Sequence, residues 1–308
     1  MYSLVIPVYK NITSLPSLLQ LLENLNTHLD KSLEVVFVVD GSPDDSYAFL
    51  KSHLPVCAFK SQLLSLSRNF GAYAAFRKGL EAARGKFFTV MSADLQEPPE
   101  LILEIFKCLR TEPVDVTFGI RKSRKDPLLH KIPAKFFWYF YQKFVQSDMP
   151  PGGIDVIGCN GHFREQLLLL NESNSSIVGL AFWLGFKRKF ITYQRLERQH
   201  GKSAWNFGKK LKYAMDSSFA FSDFPIKLLL FIGVVGIVTS CVAAVSVFIG
   251  KIYGVIQIPG YAATIITFVF FAALNSMGLG IIGSYVWRAF ENTKIRPQSI
   301  VMSNEEFN

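Results

Sequence analysis

The stretch Thr89-Val-Met-Ser-Ala-Asp-Leu-Gln-Glu-Pro-Pro99 combines the end of a strand, an acidic turn and the start of a helix. The apolar run to Met91 predicts a buried strand, and the two prolines separate the turn around Asp94 and Gln96 from a helix that begins near Glu100. Open α/β sheets bind ligands at such carboxyl ends of parallel strands. Because hard cations prefer oxygen ligands, Asp94 is a candidate ligand for a divalent metal that faces a diphosphate. The alternative is an Asp that only caps the following helix.

Strand and helix patterns alternate through the first part of the chain. Apolar runs predict strands at 2–8, 33–39, 63–66, 86–91 and 115–119. Helical spacing of leucines between the first two runs predicts a helix at 15–29. Strands that are apolar throughout are typical of a parallel sheet covered by helices on both faces. We therefore expect an α/β domain over residues 1–200 with a Rossmann-like, mostly parallel sheet.

The C-terminal third of the chain is strongly apolar. The mean hydropathy of the 308 residues is +0.25, and half of them are hydrophobic. Lys227 is the only charged residue in 226–249, and 252–287 contains none. Since about 20 apolar residues cross a bilayer, the sequence predicts two transmembrane helices, at about 228–249 and 261–287. They would form a hairpin over 226–290, followed by a cytoplasmic tail at 291–308. The alternative is a helical hairpin buried in a soluble core.

The segment 201–225, just before the first predicted span, is basic and aromatic. Lys209, Lys210 and Lys212 alternate with aromatic residues at positions 205, 207, 213, 219, 221 and 224. This composition predicts amphipathic structure at the membrane interface, with lysines near lipid phosphates and rings near the acyl boundary. The alternative is an ordinary amphipathic helix packed on the α/β domain.

The charge distribution indicates partners and orientation. A net charge of +9 suits phosphates or an anionic membrane face, and because no nucleic-acid-binding motif is visible we expect no nucleic-acid partner. Arg288, Lys294 and Arg296 follow the second predicted span, whereas the connecting turn carries only Lys251. The positive-inside rule therefore predicts that the α/β domain and both termini are cytoplasmic. The first residues lead directly into a strand, so no secretory signal is expected. The four cysteines show no CxxC spacing and are expected to be reduced.

Polar residues follow three of the predicted strands. They are Pro7-Val8-Tyr9 after the first, Asp40-Gly41-Ser42 after the second and 92–96 after the fourth. Because the carboxyl ends of parallel strands meet at one edge of a sheet, we expect one site there. A carboxylate such as Asp40 can accept hydrogen bonds from ribose or base, and Gly41 allows close backbone approach. A metal at Asp94 can stabilise a departing diphosphate.

With these motifs the chain resembles the family 2 glycosyltransferases of the GT-A fold. Within them it is similar to the polyprenyl-phosphate glycosyltransferases, a group that includes dolichol-phosphate mannose synthase and the bactoprenol glucosyl transferases. The resemblance covers nearly the whole chain and implies a GT-A domain followed by interfacial amphipathic helices and two transmembrane helices. It rests on Ile6-Pro7-Val8-Tyr9, Val39-Asp40-Gly41-Ser42, Ser67-Arg68-Asn69-Phe70-Gly71, Ala93-Asp94-Leu95-Gln96-Glu97-Pro98-Pro99, Arg121 with Arg124, and Arg195-Leu-Glu-Arg198-Gln-His-Gly201-Lys-Ser203.

The resemblance implies roles for individual residues. Asp94 would ligate Mg2+ or Mn2+, with Gln96 as a second metal or phosphate contact. The nucleotide-sugar site would consist of Pro7, Tyr9, Asp40, Ser92, Ala93, Asp94 and Gln96. The donor diphosphate and the acceptor phosphate would be bound by Arg121, Arg124, Arg198 and Ser203, since guanidinium groups suit phosphate oxygens. For each arginine the alternative is a surface charge.

Asp94, Arg198 and Asp155 are the candidate catalytic residues that the resemblance implies. Asp155 occupies the place of an acidic residue near the acceptor side in related enzymes, and its alternative is a turn Asp. Two positions depart from the family pattern. Ser92 replaces the first Asp of the family's Asp-x-Asp motif, and Lys10-Asn11-Ile12 replaces an acidic pair after Tyr9.

The implied activity is transfer of a monosaccharide from a nucleotide-sugar to a polyprenyl phosphate, undecaprenyl phosphate in bacteria, with inversion. It would take place at the cytoplasmic face of the bacterial inner membrane and feed O-antigen or another envelope glycan. A phosphate oxygen is already nucleophilic at neutral pH, so the site mainly has to align the reactants and stabilise the leaving group. Two alternatives stay open: a lipid-linked oligosaccharide or other glycolipid acceptor, and a catalytically degenerate nucleotide-sugar-binding membrane partner. The resemblance also makes a homo-tetramer a candidate assembly. The sugar and the choice of UDP, GDP or dTDP stay open.

Overall fold

A sheet of eight strands organises the N-terminal domain of the protein. The structure, a computed structural model, describes residues 1–122, 139, 141–143, 146, 148–150, 153–172, 175–197, 215–216, 219–222, 224–253 and 260–307. The strands are β1 Tyr2–Val8, β2 Leu33–Val39, β3 Lys60–Leu66, β4 Phe87–Val90, β5 Val116–Arg121, β6 Val156–Asn160, β7 Arg188–Tyr193 and β8 Val301–Phe307. The helices are α1 Leu15–His28, α2 Ser46–His53, α3 Ala72–Ala82, α4 Pro99–Thr111, α5 Gly161–Leu169, α6 Ile177–Trp183, α7 Phe224–Ile252 and α8 Tyr261–Thr293.

The strand order is β7-β5-β6-β4-β1-β2-β3-β8. Neighbours among β1, β2, β3 and β4 pair in parallel, and so do β5 and β7. β6 runs antiparallel between β4 and β5, and β8 runs antiparallel to β3. The predicted α/β fold with a mostly parallel sheet is therefore confirmed. The five predicted strands are present with small shifts at their ends.

The core lies on both faces of the sheet because the central strands alternate between two apolar layers. Leu4 and Ile6 of β1 belong to a cluster that includes the buried leucines of α1, while Val5 belongs to a second cluster with α3, α5 and α6. Every residue of β2 is buried. This pattern explains why the strands read as continuous apolar runs, since each face is covered by helices.

The sheet also contains a strand from the far end of the chain. β8 pairs with the edge of β3, where Glu305 accepts hydrogen bonds from Tyr47 (2.6 Å) and Lys51 (2.8 Å). Glu306 forms a two-pronged ion pair with Arg84. Residues 291–308 were predicted as a cytoplasmic tail, and within this stretch residues 301–307 form a strand of the sheet. Their alternation of half-buried and exposed residues is that of an edge strand.

α7 and α8 follow the domain as two long helices. They contain 29 and 33 residues, which corresponds to lengths of about 43 Å and 50 Å. Many of their large apolar side chains are exposed, including Phe231, Phe268 and Leu279. Within the described residues, the 24-residue stretch Phe270–Thr293 is long and apolar enough to cross a membrane, and Phe224–Gly236 is a shorter apolar stretch. The described part thus contains one candidate span where the sequence predicts two.

The described part of segment 201–225 packs against protein on two sides. The ring of Phe221 lies so close to Gly179 of α6 that a Cβ there would meet it at 2.3 Å. Asp216 accepts a hydrogen bond from Arg288 of α8 at 2.6 Å, and the Phe219 ring contacts Tyr285 with centroids 5.1 Å apart. This segment therefore connects α6 of the domain to the end of α8.

Arg77 is a buried cation that joins α3 to the end of α5. Its guanidinium donates to the carbonyl oxygens of Leu167 (3.2 Å), Leu168 (2.6 Å) and Leu170 (2.7 Å). The last carbonyls of a helix lack partners within the helix, so these bonds satisfy groups that would otherwise be unpaired in the core. Burial lowers the pKa of Arg77, and the nearby carboxylate of Glu81 opposes this shift.

Replacing Arg77 with Leu is expected to destabilise the domain by about 3 kcal/mol, because several buried carbonyls lose a charged donor at once. The measurement is denaturant unfolding of the detergent-solubilised protein. Lys107→Leu is the matched control, since Lys107 is an exposed cation on α4. Equal stability of the two variants would contradict this role of Arg77.

Candidate active site

Those predicted site residues that the structure describes lie along one edge of the sheet. The carboxyl ends of β1, β2, β4, β5 and β7 meet at this edge, and β6 starts there because it runs in the opposite direction. The edge therefore has two ends. One is formed by the loops after β1, β2 and β3, and the other by the residues next to β5, β6 and β7. The acidic turn after β4 lies between them.

The loops after β1 and β2 are joined by Ser42 and Asp44. The Oγ of Ser42 accepts a hydrogen bond from the N–H of Lys10 (2.8 Å) and donates to Asp44 (2.6 Å), while Asp44 also accepts from the N–H of Ile12 (3.2 Å). Partial burial of Asp44 would raise its pKa, but the hydrogen bonds to its carboxylate outweigh burial and lower it. Asp44 thus holds the loop that lacks the family's acidic pair, and Tyr9 is exposed beside it.

Asp40 holds the loop after β3. Its side chain is 2% exposed, and its two oxygens accept hydrogen bonds from the backbone N–H groups of Phe70 (2.7 Å) and Gly71 (2.8 Å) at the start of α3. Burial raises the pKa of Asp40, although these two N–H groups and the charge of Arg68 oppose the shift. The carboxylate predicted to face ribose or base faces the backbone of its own protein here. Asp40 thereby fixes the Ser67-Arg68-Asn69-Phe70-Gly71 loop.

Gly41 lies where two loop backbones touch. Its φ is +55°, and a Cβ at this position would lie 2.3 Å from the carbonyl carbon of Arg68 and 2.5 Å from the nitrogen of Asn69. The backbone of Arg68 and Asn69 cannot move away from an added Cβ as a flexible side chain could, so only glycine fits at position 41. Gly41 was expected to allow close backbone approach at a nucleotide site, and the close approach that the structure shows is between the loops after β2 and β3.

Replacing Gly41 with Ala is expected to weaken nucleotide binding roughly tenfold or more, because the added methyl group forces the loops after β2 and β3 apart. The measurement is the Kd for UDP, GDP and dTDP by calorimetry. Gly185→Ala is the control. Gly185 also has a positive φ, +70°, but the nearest atom to a Cβ there is the carbonyl oxygen of Trp183 at 3.9 Å, and Gly185 precedes β7 at the opposite end of that strand from the ligand edge. Unchanged affinity in Gly41→Ala would contradict the contact.

The turn after β4 is closed by Glu97. The carboxylate of Glu97 accepts a hydrogen bond from the N–H of Ser92 at 3.0 Å and another from its hydroxyl. Glu97 is 3% exposed, and burial raises its pKa, while the bonds from Ser92 oppose the shift. Leu95 adopts a left-handed backbone with φ of +59°, which is rare for a side chain of this size. On the inner side, the carbonyl of Ala93 accepts a hydrogen bond from Ser14 at 2.7 Å.

Gln96 contacts the segment that follows β7. Its side-chain oxygen accepts a hydrogen bond from Arg195 at 2.5 Å, and its backbone carbonyl accepts one from the N–H of Leu196 at 2.9 Å. The first residues of the Arg195-Leu-Glu-Arg198 motif are therefore docked on the acidic turn. Three predicted phosphate-binding residues lie outside the described residues: Arg124, Arg198 and Ser203.

The other end of the edge contains an ion pair between two predicted residues. Arg121 at the end of β5 donates to both oxygens of Asp155 just before β6, with an Nη2–Oδ1 distance of 2.5 Å. The hydroxyl of Tyr193 donates to the same carboxylate at 3.1 Å. Burial would lower the pKa of Arg121, but the hydrogen bonds and charge of Asp155 raise it. Asp155 therefore orients the guanidinium of Arg121 at the rim of the site.

Residues 3–169 match the family model "Glycosyl transferase family 2". The chain belongs to this family. The glycosyltransferase YkcC of Bacillus subtilis is 31% identical over 98% of this chain and 94% of its own. Bactoprenol glucosyl transferase of Shigella phage SfX is 26% identical over 98% of this chain and 99% of its own. Undecaprenyl-phosphate 4-deoxy-4-formamido-L-arabinose transferase of Pseudomonas savastanoi is 29% identical over 99% and 92%.

A solved structure with a similar chain path is glucosyl-3-phosphoglycerate synthase from Mycobacterium tuberculosis, in complex with Mn2+, UDP and phosphoglyceric acid. It has a TM-score of 0.47 and 17% identity over 65% of this glycosyltransferase and 72% of its own chain.

The donor set of this glycosyltransferase fits a metal that is bound together with its substrate. Within the described part of the chain, no group of three or more His, Cys, Asp or Glu residues could hold a metal ion. Mg2+ usually binds to one or two carboxylates and completes its shell with substrate phosphates and water. The acidic turn contains one such carboxylate, Asp94, and the side-chain oxygen of Gln96 in the same turn accepts the hydrogen bond from Arg195.

Sequence reasoning missed several residues that shape the site of the glycosyltransferase. Ser14, Asp44, Glu97 and Tyr193 were not among the candidates, yet each contacts a loop or side chain at the ligand edge. Ser42-Pro-Asp44 carries a turn signal, since an Asp two residues after a Ser can accept its hydroxyl proton. Ser14 and Tyr193 contact Ala93 and Asp155, which are distant in sequence, so no local sequence pattern predicts these contacts.

Proposed function

We propose that this glycosyltransferase moves a monosaccharide from a nucleotide-sugar to a polyprenyl phosphate, undecaprenyl phosphate in bacteria, by a single inverting displacement. The observation that carries the proposal is the extent of the match with the phage bactoprenol glucosyl transferase and the undecaprenyl-phosphate transferase. It covers 98% and 99% of this chain. The shared part includes the two long apolar helices as well as the GT-A domain, and these helices suit a lipid substrate.

The residues along the ligand edge have distinct tasks in the proposed reaction. Pro7 and Tyr9, together with Ser92 and Ala93, line the nucleoside side, and Asp40 supports them through the loop after β3. A Mg2+ or Mn2+ at Asp94 and Gln96 would neutralise charge on the leaving diphosphate. Arg121 binds phosphate oxygens with the N–H groups that Asp155 leaves available. We assign Arg198, Ser203 and Arg124 to the same phosphate groups. No strong base is required, because the acceptor phosphate is already anionic.

We further propose that α7 and α8 both cross the membrane and that the GT-A domain and both termini are cytoplasmic. The pairing of β8 with β3 supports this topology. β8 follows α8 and joins the sheet that precedes α7, so the chain must leave and return on the same side of the membrane. An even number of crossings meets this requirement, and a single crossing by α8 does not. Lys294 and Arg296 at the exit of α8 agree with a cytoplasmic end.

Three further assignments belong to this proposal. The GT-A domain comprises residues 1–200 together with the edge strand β8, the segment 201–225 lies at the cytoplasmic membrane interface, and the hairpin spans 226–290. The contact of Phe221 with Gly179 indicates that the interfacial segment also rests on the domain. Assembly as a homo-tetramer is tested by the mass of the purified particle after the detergent contribution has been subtracted.

The proposed acceptor is tested by competition in one reaction. The purified protein receives a labelled donor, a divalent cation and equal amounts of undecaprenyl phosphate, a lipid-linked oligosaccharide and diacylglycerol, and the products are separated by chromatography. We expect label in the undecaprenyl-phosphate product alone. Label in the oligosaccharide or diacylglycerol product would instead support the glycolipid alternative. Nucleotide binding without any labelled lipid would support the third reading, a catalytically degenerate protein that binds nucleotide-sugar. The presence of Ser92 in place of the first Asp of the family's Asp-x-Asp motif is the observation that favours this reading.

A further inference from the structure

The family motif lacks its first carboxylate in this chain, but a different carboxylate lies at the same place. The carboxylate of Glu97 folds back across the turn, and one of its oxygens accepts both the backbone N–H and the hydroxyl of Ser92. With 3% of its surface exposed, Glu97 is almost fully enclosed. A buried carboxylate therefore touches the side chain of residue 92 directly.

The local backbone explains why Glu97 points inward. Leu95 takes a left-handed conformation with φ of +59°, which reverses the chain so that residue 97 comes back beside residue 92. Pro98, which is extended, then precedes α4, and Pro99 is the first residue of this helix. The side chain of Glu97 is consequently held between the end of β4 and the start of α4, behind the turn that carries Asp94.

The charges around Glu97 belong to the ligand edge. Asp94 and Arg195 both act electrostatically on Glu97, and Glu97 acts in turn on Tyr193. Arg195 is also the residue that donates to Gln96. Glu97 is thus surrounded by residues of the proposed metal and phosphate site, although it is too enclosed to contact a large ligand itself.

We propose that Glu97 is a positioning residue that supplies, from the other side of the turn, the negative charge missing at Ser92. Through the N–H and hydroxyl of Ser92 it fixes the Ser92-Ala93-Asp94 backbone and so aims the Asp94 carboxylate at the metal and diphosphate. This inference rests on the proposed function for the identity of the ligands. It implies that metal-dependent binding needs a carboxylate at position 92 or at position 97, and that carboxylates at both positions weaken this binding.

The test uses three variants: Ser92→Asp, Glu97→Gln and the double variant. Ser92→Asp restores the family motif but replaces the hydroxyl that donates to Glu97 with a second acceptor, so the two carboxylates face each other without a hydrogen bond between their side chains. Glu97→Gln removes the only carboxylate at this place. We expect each single variant to weaken Mn2+-dependent nucleotide binding roughly tenfold, and the double variant to return to within about twofold of wild type.

Two readouts separate positioning from simple structural support. Calorimetry measures binding of UDP, GDP and dTDP with Mn2+ and again with EDTA, and thermal unfolding is recorded for every variant. We expect the Mn2+-dependent part of binding to change while binding in EDTA stays the same. Glu100→Gln serves as the neutral control and is expected to behave like wild type, because Glu100 is an exposed carboxylate in the first turn of α4.

Three results would overturn the inference: additive losses in the double variant, normal Mn2+-dependent binding in Glu97→Gln, or loss of nucleotide binding in EDTA that parallels a lowered Tm. Failure of the proposed function would look different. In that case wild type would bind nucleotide with Mn2+, and the double variant would still restore the binding that the single variants lose. No sugar, however, would be transferred to undecaprenyl phosphate.

Discussion

Asp94→Asn is expected to reduce kcat/KM for sugar transfer about thousandfold, the largest loss of activity from any single change to a described side chain. The physical reason is that this carboxylate is the principal protein ligand proposed for the metal that neutralises the leaving diphosphate, a contribution of several kcal/mol to the transition state. The Asn side chain keeps the size of Asp94, so the fold should be retained. The measurement is initial-rate transfer with undecaprenyl phosphate, together with thermal unfolding.

The matched control for this variant is Glu100→Gln. Glu100 is an exposed carboxylate in the first turn of α4, a few residues from Asp94, and it faces away from the sheet. We expect it to retain wild-type transfer within about twofold, as surface changes usually do. Comparable rates in Asp94→Asn and Glu100→Gln would contradict the metal assignment.

Arg121→Ala is expected to lower kcat/KM about a hundredfold, because a fixed guanidinium that binds phosphate acts mainly on the charge that develops during transfer. Arg121→Lys should recover only part of this loss, since an ammonium group cannot bind Asp155 with two parallel hydrogen bonds and still present N–H groups to phosphate. The measurement is kcat and KM for donor and acceptor separately.

The pair variant decides whether Arg121 acts on substrate or only supports the fold. Arg121→Ala alone leaves the carboxylate of Asp155 without its cation, so stability should fall; Arg121→Ala with Asp155→Ala should regain stability but not transfer. Tyr193→Phe, which removes one hydrogen bond of 3.1 Å to Asp155, is the mild control. Transfer that recovers together with stability in the pair variant would reduce the ion pair to a structural role.

The parallel part of the fold was predictable from the sequence because its signals are local. β1 and β2 were predicted with the bounds the structure has, since strands buried on both faces are continuous apolar runs. α1 was predicted from its leucine spacing and ends one residue earlier than expected. These elements alone determine where the ligand edge lies, because the carboxyl ends of parallel strands fall together.

The strands that the sequence did not reveal depend on distant partners. β7 has mixed burial, and β8 contains Ser303, Asn304, Glu305 and Glu306, a composition that suits an exposed tail as well as an edge strand. β8 pairs with β3 across most of the length of the chain. Such pairings depend on the assembled tertiary structure, and composition does not encode them locally.

In the site, too, the sequence predicted which residues matter but not which residues they contact. Asp94, Arg121 and Asp155 were singled out as candidates by type and motif, but the ion pair between Arg121 and Asp155 became visible only when β5 and β6 were placed side by side. Asp40 was expected to contact the nucleotide, whereas its oxygens accept N–H groups some 30 residues further along the chain. A sequence motif marks where polar groups gather, and the packing of the loops decides which of them remain available to a ligand.

The most direct measurement is transfer by the purified protein in detergent, with undecaprenyl phosphate, Mg2+ or Mn2+, and a panel of labelled UDP-, GDP- and dTDP-sugars. The proposed function predicts that one donor transfers its label to a lipid product that mild acid hydrolyses, and that EDTA prevents this transfer. The absence of a labelled lipid with every donor, from protein that still binds nucleotide, would contradict it.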